Sequence, residues 1–185
     1  MWARSPDGLV VRRVELGDVP VLARWLSDPR VLEHYGGRDK PLNEAGVRAH
    51  YFQRRRDRVT GRFYEYHPCI VELDGRPIGF VQFYRWPASE IVALGYSPVE
   101  RTYGIDLFLG EPELWGKGSG TRVVEIVRDH LIEKREARRV VLDPGTENTR
   151  AIRAYEKAGF RKIRVMSSQE MHEGKVRDCW LMEYP

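Results

Sequence analysis

Two cysteines, Cys69 and Cys179, are all the thiol chemistry in 185 residues. They form no disulfide framework and show no metal-ligand spacing, so neither a stapled secreted module nor a zinc domain is expected. No apolar run approaches the ~20 residues that cross a bilayer. The start, Met1-Trp2-Ala3-Arg4-Ser5-Pro6, lacks the apolar segment of a secretory leader. These absences predict a protein of the reducing cytoplasm with no membrane partner. Repeats, low-complexity tracts and linker-like stretches are also missing, so one domain spanning residues 1–185 is expected. What is present is ordinary for a globular chain: 42% hydrophobic, 31% charged and 11% aromatic residues, apolar enough to build a core.

The net charge is +4, and the sharpest basic cluster is Arg54-Arg55-Arg56-Asp57-Arg58. It sits in a helix-like run with no nucleic-acid-reading motif around it. A solvated helix face is the reading, with no nucleic-acid partner.

Periodicity gives the elements. Leu9 to Val14 reads as a strand. Asp18 is placed to cap a helix carrying Val21, Leu22, Trp25 and Leu26, and a second helix is expected from Glu44 to about Arg58. His67–Leu73 and Pro77–Tyr84 are strands joined at Asp74-Gly75, a hairpin signal. Residues 85–101, with Pro87 and Pro98, read as irregular. Tyr103 to Gly110 is a strand with Tyr103, Ile105, Leu107 and Leu109 on one face and Gly104, Asp106 and Phe108 on the other. A helix from about Ser119 to Lys134, a strand Arg139–Leu142 and a helix capped by Asn148 and stopped at Gly159 follow. Arg161–Met166 and Lys175–Met182 form a final antiparallel pair. The expected fold class is α+β: a mixed, mostly antiparallel twisted sheet of about seven strands with about four helices, in the order β-α-α-β-β-β-α-β-α-β-β.

Between the fourth strand and the long helix lies Trp115-Gly116-Lys117-Gly118-Ser119-Gly120-Thr121. Glycines there let backbone N–H groups approach a phosphate at the positive end of a helix. Later comes Asn148-x-x-Ala151-x-x-x-Tyr155-x-Lys157-x-Gly159-Phe160. No G-x-x-x-x-G-K-[ST] run is present, and the glycines do not open a first βαβ unit, so Walker and Rossmann readings fit worse.

Taken together, these two motifs resemble the GNAT superfamily of acetyl-CoA-dependent N-acetyltransferases, over nearly the whole chain. A narrower pattern is similar to the aminoglycoside 6′-N-acetyltransferases: Trp25-Leu26…Pro29…Glu33-His34-Tyr35-Gly36-Gly37, Pro77 to Gln82, Gly104-Ile105-Asp106, Gly116 to Thr121, and Asp143-Pro144…Asn148…Phe160. Siderophore-type N-acyltransferases share part of it. Trp115 departs from the superfamily, many members of which carry Gln or Arg there.

The resemblance implies acetyl-CoA as co-substrate and a small-molecule amine as acceptor, with the 6′-amine of an aminoglycoside the leading choice and antibiotic resistance the consequence. It assigns the cofactor to Phe108, Trp115, Gly116, Lys117, Gly118, Ser119, Gly120, Thr121 and Asn148. Asp106 is the expected base or amine-positioning group, against a plain strand residue. Tyr155 is the expected acid at the leaving sulfur, against a core aromatic. An N–H on the strand around Phe108 should polarise the thioester carbonyl. Tyr35, Glu90, Asp106, Asp143 and Glu173 are the acceptor-site candidates, since a polycation needs carboxylates and an aromatic wall. No metal and no acyl-enzyme are expected. A siderophore hydroxylamine, a protein N-terminus and a non-catalytic acyl-CoA-binding module are the competing readings, and the chain is expected to be a monomer or homodimer.

Overall fold

The computed structural model describes residues 3–53, 65–97 and 99–184. Its centre is a mixed sheet of eight strands: β1 (Ala3–Arg4), β2 (Leu9–Arg13), β3 (Tyr66–Leu73), β4 (Arg76–Arg85), β5 (Thr102–Leu109), β6 (Arg139–Leu142), β7 (Arg161–His172) and β8 (Lys175–Tyr184). Their spatial order is β1-β2-β3-β4-β5-β6-β8-β7. Every neighbouring pair is antiparallel except β5 and β6. Among the described residues six α-helices accompany the sheet: α1 (Val19–Trp25), α2 (Pro29–Leu32), α3 (Glu44–Tyr51), α4 (Ala88–Ala93), α5 (Ser119–Arg135) and α6 (Thr149–Lys157).

Strand alternation sorts the core into two layers. Cys69, Val71, Val81, Phe83 and Ile105 pack with Val123, Val124, Val127 and Leu131, the apolar stripe of α5. Ile70, Phe80 and Phe108 turn to the opposite layer and meet Leu22, Trp25, Val47 and Tyr51 of α1 and α3. The β3–β4 hairpin turns at Asp74 (φ 50°) and Gly75 (φ 77°), the left-handed pair that Asp-Gly supplies.

The structure adds to the expected order. Β1 is a two-residue strand too short to carry a period. The stretch read as irregular contains α4, which begins just after Pro87. Proline is tolerated at a helix start, where no N–H is required of it. Asp18 flanks α1 without a side-chain cap. Its carboxylate instead accepts from Glu15 N–H (2.8 Å) and pairs with Arg12 (2.7 Å). The second helix ends at Tyr51 among the described residues, and the cluster Arg54 to Arg58 lies outside them.

One pairing makes the site. Β5 and β6 are joined over three residue pairs, Thr102↔Arg139, Tyr103↔Val140 and Gly104↔Val141. Β6 ends at Leu142, while β5 continues to Leu109. The sheet therefore opens beyond Gly104.

Candidate active site

Backbone alternation decides what the opening contains. Gly110 N–H donates to Ile78 O (2.9 Å) and Trp86 N–H to Thr102 O (3.0 Å). The even-numbered residues of β5 thus direct their backbone groups toward β4. On the other edge, Arg138 N–H donates to Arg101 O (2.9 Å), so the odd-numbered residues face β6. Past the last β5–β6 pair, Leu107 and Leu109 accordingly turn their backbone groups into the gap. This corrects the expectation for Phe108. It lies opposite Phe80 in the β4 ladder, so its N–H is committed there, and its ring lines the cavity instead. The Leu109 carbonyl accepts from Trp115 Nε1 (2.9 Å). That bond gives the unexpected Trp115 a task, since it satisfies a carbonyl that the missing β6 partner leaves open.

A cavity of about 350 Å³ fills this gap. Gly116, Gly118, Gly120 and Thr121 line it from the turn before α5, and Asn148, Arg150, Ala151, Arg153, Tyr155 and Lys157 line it from α6. Lys117 and Ser119 are not in the wall; Lys117 is exposed and Ser119 buried. The N-cap of α5 is Gly118 (φ 85°), and no side chain caps that 17-residue helix. Its first N–H groups are orphans at the positive end of the dipole. The φ of 73° at Gly116 also demands glycine, and the space where each Cβ would stand is open. Open, uncapped donors of this kind fit the diphosphate of a nucleotide cofactor. By contrast α6 is capped: Asn148 Oδ1 accepts from Ala151 N–H (3.1 Å). Asn148 also lines the cavity.

The carboxylates gather at the same opening. Asp106 stands on β5 opposite Gln82. Gln82 Nε2 donates to its Oδ2 (2.5 Å), and Gln82 Oε1 accepts from the Tyr66 hydroxyl (2.7 Å). The Tyr84 hydroxyl lies 3.4 Å from Asp106 Oδ1. A relay across three strands therefore orients the carboxylate. Asp143 follows β6 on the other side of the gap. Burial, reinforced by the charges of Asp106 and Glu170, raises its pKa from 3.8 to about 7. Two carboxylates whose charges act on each other cannot both ionise as readily as one alone. Tyr155 is buried and borders the cavity; burial and the charges of Asp106 and Asp143 raise its pKa, so it stays a phenol and a donor at neutral pH. Both cysteines are buried, and desolvation pushes each thiol up to about 12, far from the range of a nucleophilic thiolate.

The remaining candidates separate. Tyr35 contributes its ring to the cavity wall, 4.7 Å from the Phe108 centroid. Glu90 is exposed on α4 and acts on Asp143 through its charge. Glu173 is taken: Arg38 holds it through Nε (2.6 Å), Nη2 (2.7 Å) and backbone N–H (2.9 Å). Hydrogen bonds from Arg38 lower the Glu173 pKa to about 2. Glu173 therefore closes the β7–β8 turn onto the loop after α2 rather than offering a vacant carboxylate. Gln82, Tyr66, Tyr84, Glu170 and Arg150 escaped the sequence reading. Gln82 alone carried a signal, as an uncharged polar residue inside an apolar strand.

The chain is similar to several known proteins. The family described as acetyltransferase (GNAT) domain matches residues 15–167. The aminoglycoside N(6′)-acetyltransferase type 1 of Klebsiella pneumoniae is 33% identical over 167 residues, 85% of this chain and 76% of that protein. The N(6)-hydroxylysine O-acetyltransferase of Escherichia coli is 30% identical over 152 residues, 80% of this chain and 44% of its own length. Among solved structures, aminoglycoside acetyltransferase AAC(6′)-Ib in complex with coenzyme A and kanamycin superposes with a TM-score of 0.72. It is 26% identical, with 95% of this chain and 94% of that one covered.

Proposed function

Since the chain belongs to the acetyltransferase (GNAT) family, whose enzymes use acetyl-CoA, we propose that its acceptor is the 6′-amine of an aminoglycoside. The observation that carries this reading is the pair Asp106 and Asp143 on the two sides of the β5–β6 gap. An ammonium entering between them compensates both charges and supplies the site with its natural counter-ion. The similarity to aminoglycoside N(6′)-acetyltransferases and to AAC(6′)-Ib bound to kanamycin supports it further.

Acetyl-CoA supplies an acetyl group already activated as a thioester. The orphan N–H groups of Ser119, Gly120 and Thr121 hold its diphosphate. The Leu107 N–H polarises the carbonyl to be attacked. Asp106 positions the acceptor ammonium and receives its proton at Oδ1 or Oδ2, with Gln82 fixing the carboxylate plane. Asp143, readily protonated, lets the pair hold that proton without building up two negative charges. The Tyr155 hydroxyl donates to the sulfur as it leaves. Transfer is direct, in keeping with two thiols that stay protonated.

The test is an acceptor screen with acetyl-CoA, read by thiol release and by mass spectrometry of the product. Kanamycin-type aminoglycosides, simple polyamines and N(6)-hydroxylysine are the acceptors. Acetylation of an aminoglycoside at the 6′ position is expected. Turnover with the other amines and none with any aminoglycoside overturns the acceptor reading.

A further inference from the structure

The phosphate turn is short of charge. Its donors are backbone groups, Trp115 occupies the position before the first glycine, and Lys117 is outside the cavity wall. Charge is supplied from elsewhere. Arg150, in the first turn of α6, lies with its guanidinium 4.0 Å from the centroid of the Trp115 ring. Both residues line the cavity. Trp115 is itself held by the bond from its Nε1 to Leu109 O (2.9 Å). The stack therefore fixes a cation at the edge of the glycine turn. Arg153 and Lys157 line the same cavity from positions three and seven residues further on, the same face of α6. Among the described residues Arg150, Arg153 and Lys157 have no carboxylate partner. Three cations on one face without internal counter-charges form a rail awaiting an anion.

We propose that Arg150, clamped on Trp115, binds the diphosphate bridge of the cofactor and supplies the charge that the glycine turn lacks. Its seat on Trp115, the residue before Gly116, in the cavity that the glycine turn also lines, favours the diphosphate over the 3′-phosphate. Arg153 and Lys157, further along the helix, face the rest of the nucleotide. The assignment concerns the cofactor alone and is independent of the acceptor.

Titration calorimetry tests it with three ligands: CoA, dephospho-CoA (which lacks the 3′-phosphate) and pantetheine (which lacks every phosphate; titrated by NMR where weak). Arg150→Ala should weaken CoA and dephospho-CoA by about tenfold each, the size of one charge-assisted contact at an exposed site. Pantetheine affinity should stay within about twofold by the same reasoning. Trp115→Leu should reproduce the loss, while Trp115→Phe, which retains an aromatic face, should keep most of the affinity. Arg150 is exposed, so its removal leaves a folded protein. A loss seen with CoA but absent with dephospho-CoA overturns the diphosphate assignment in favour of the 3′-phosphate. An equal loss for pantetheine, or no loss at all, overturns the proposal.

Discussion

The two sides of the β5–β6 gap are built from different materials. The cofactor side is mostly backbone: consecutive residues 116–121, two of them in left-handed conformations, and the open end of α5. The acceptor side is side chains from separate strands, with Asp106 on β5, Gln82 and Tyr84 on β4, Tyr66 on β3 and Asp143 after β6. A backbone cradle binds through main-chain donors that side-chain substitutions do not remove. A side-chain cluster depends on each residue and can be retuned one position at a time. On the proposed function, the co-substrate is then held by the part that is hard to change and the acceptor by the part that is easy to change.

Substitutions should separate the two sides cleanly. Asp106→Asn is expected to lower kcat by about a hundredfold or more, while calorimetric CoA affinity stays within about twofold. Parallel losses in both would erase the distinction. Gly118→Val attacks the other side, because a β-branched residue at φ 85° is strained by roughly 1–2 kcal/mol. CoA affinity should fall about tenfold, with kcat at saturating acetyl-CoA much less affected; an unchanged dissociation constant would count against the cradle.

Asp143→Asn probes the proton that the carboxylates share. The Asp143 carboxyl has its pKa raised from 3.8 to about 7 in the folded protein. Its contribution to stability is therefore full below about pH 4 and is lost as pH rises through 7. The variant should match the parent in urea unfolding at pH 4 and exceed it at pH 8. A parent-minus-variant difference that ignores pH would remove Asp143 from the pair. The smallest effect belongs to Arg38→Ala. The Arg38 side chain is 52% exposed where it meets Glu173, so the unfolding free energy should change by less than about 1 kcal/mol. A large fall in kcat would return Glu173 to the acceptor site.

How much of this could be read from the residues follows the same division. Gly116, Gly118, Gly120 and Asn148 are visible because their constraints are local: a positive φ, a helix start, a cap. The strand and helix pattern is legible from the alternation along β5, the stripe on α5 and the Asp74-Gly75 turn, and the GNAT fold from the resemblance carried by the glycine turn and the Asn148-to-Phe160 motif. Β1 and α2 are too short to show a period, and α4 is hidden behind Pro87, which reads as a breaker yet precedes a helix. The relay through Gln82 is absent from any local pattern. It exists because the β3–β4–β5 register sets Pro68, Gln82 and Asp106 abreast and Tyr66 two residues along. The pairing of Glu173 with Arg38 is hidden for a similar reason, since the partners stand 135 residues apart.

The three rungs between β5 and β6 have a mechanical meaning as well. They join a five-strand block, β1 to β5, to a three-strand block, β6, β8 and β7, and the buried cluster that includes Ile105, Val140, Leu142 and Met182 packs across the joint. A ligand wedged into the gap completes the joint from the open end. In a cell rich in acetyl-CoA, the folded enzyme is then a ternary structure of two half-sheets and a small molecule, whose resistance to unfolding rises with the logarithm of co-substrate concentration.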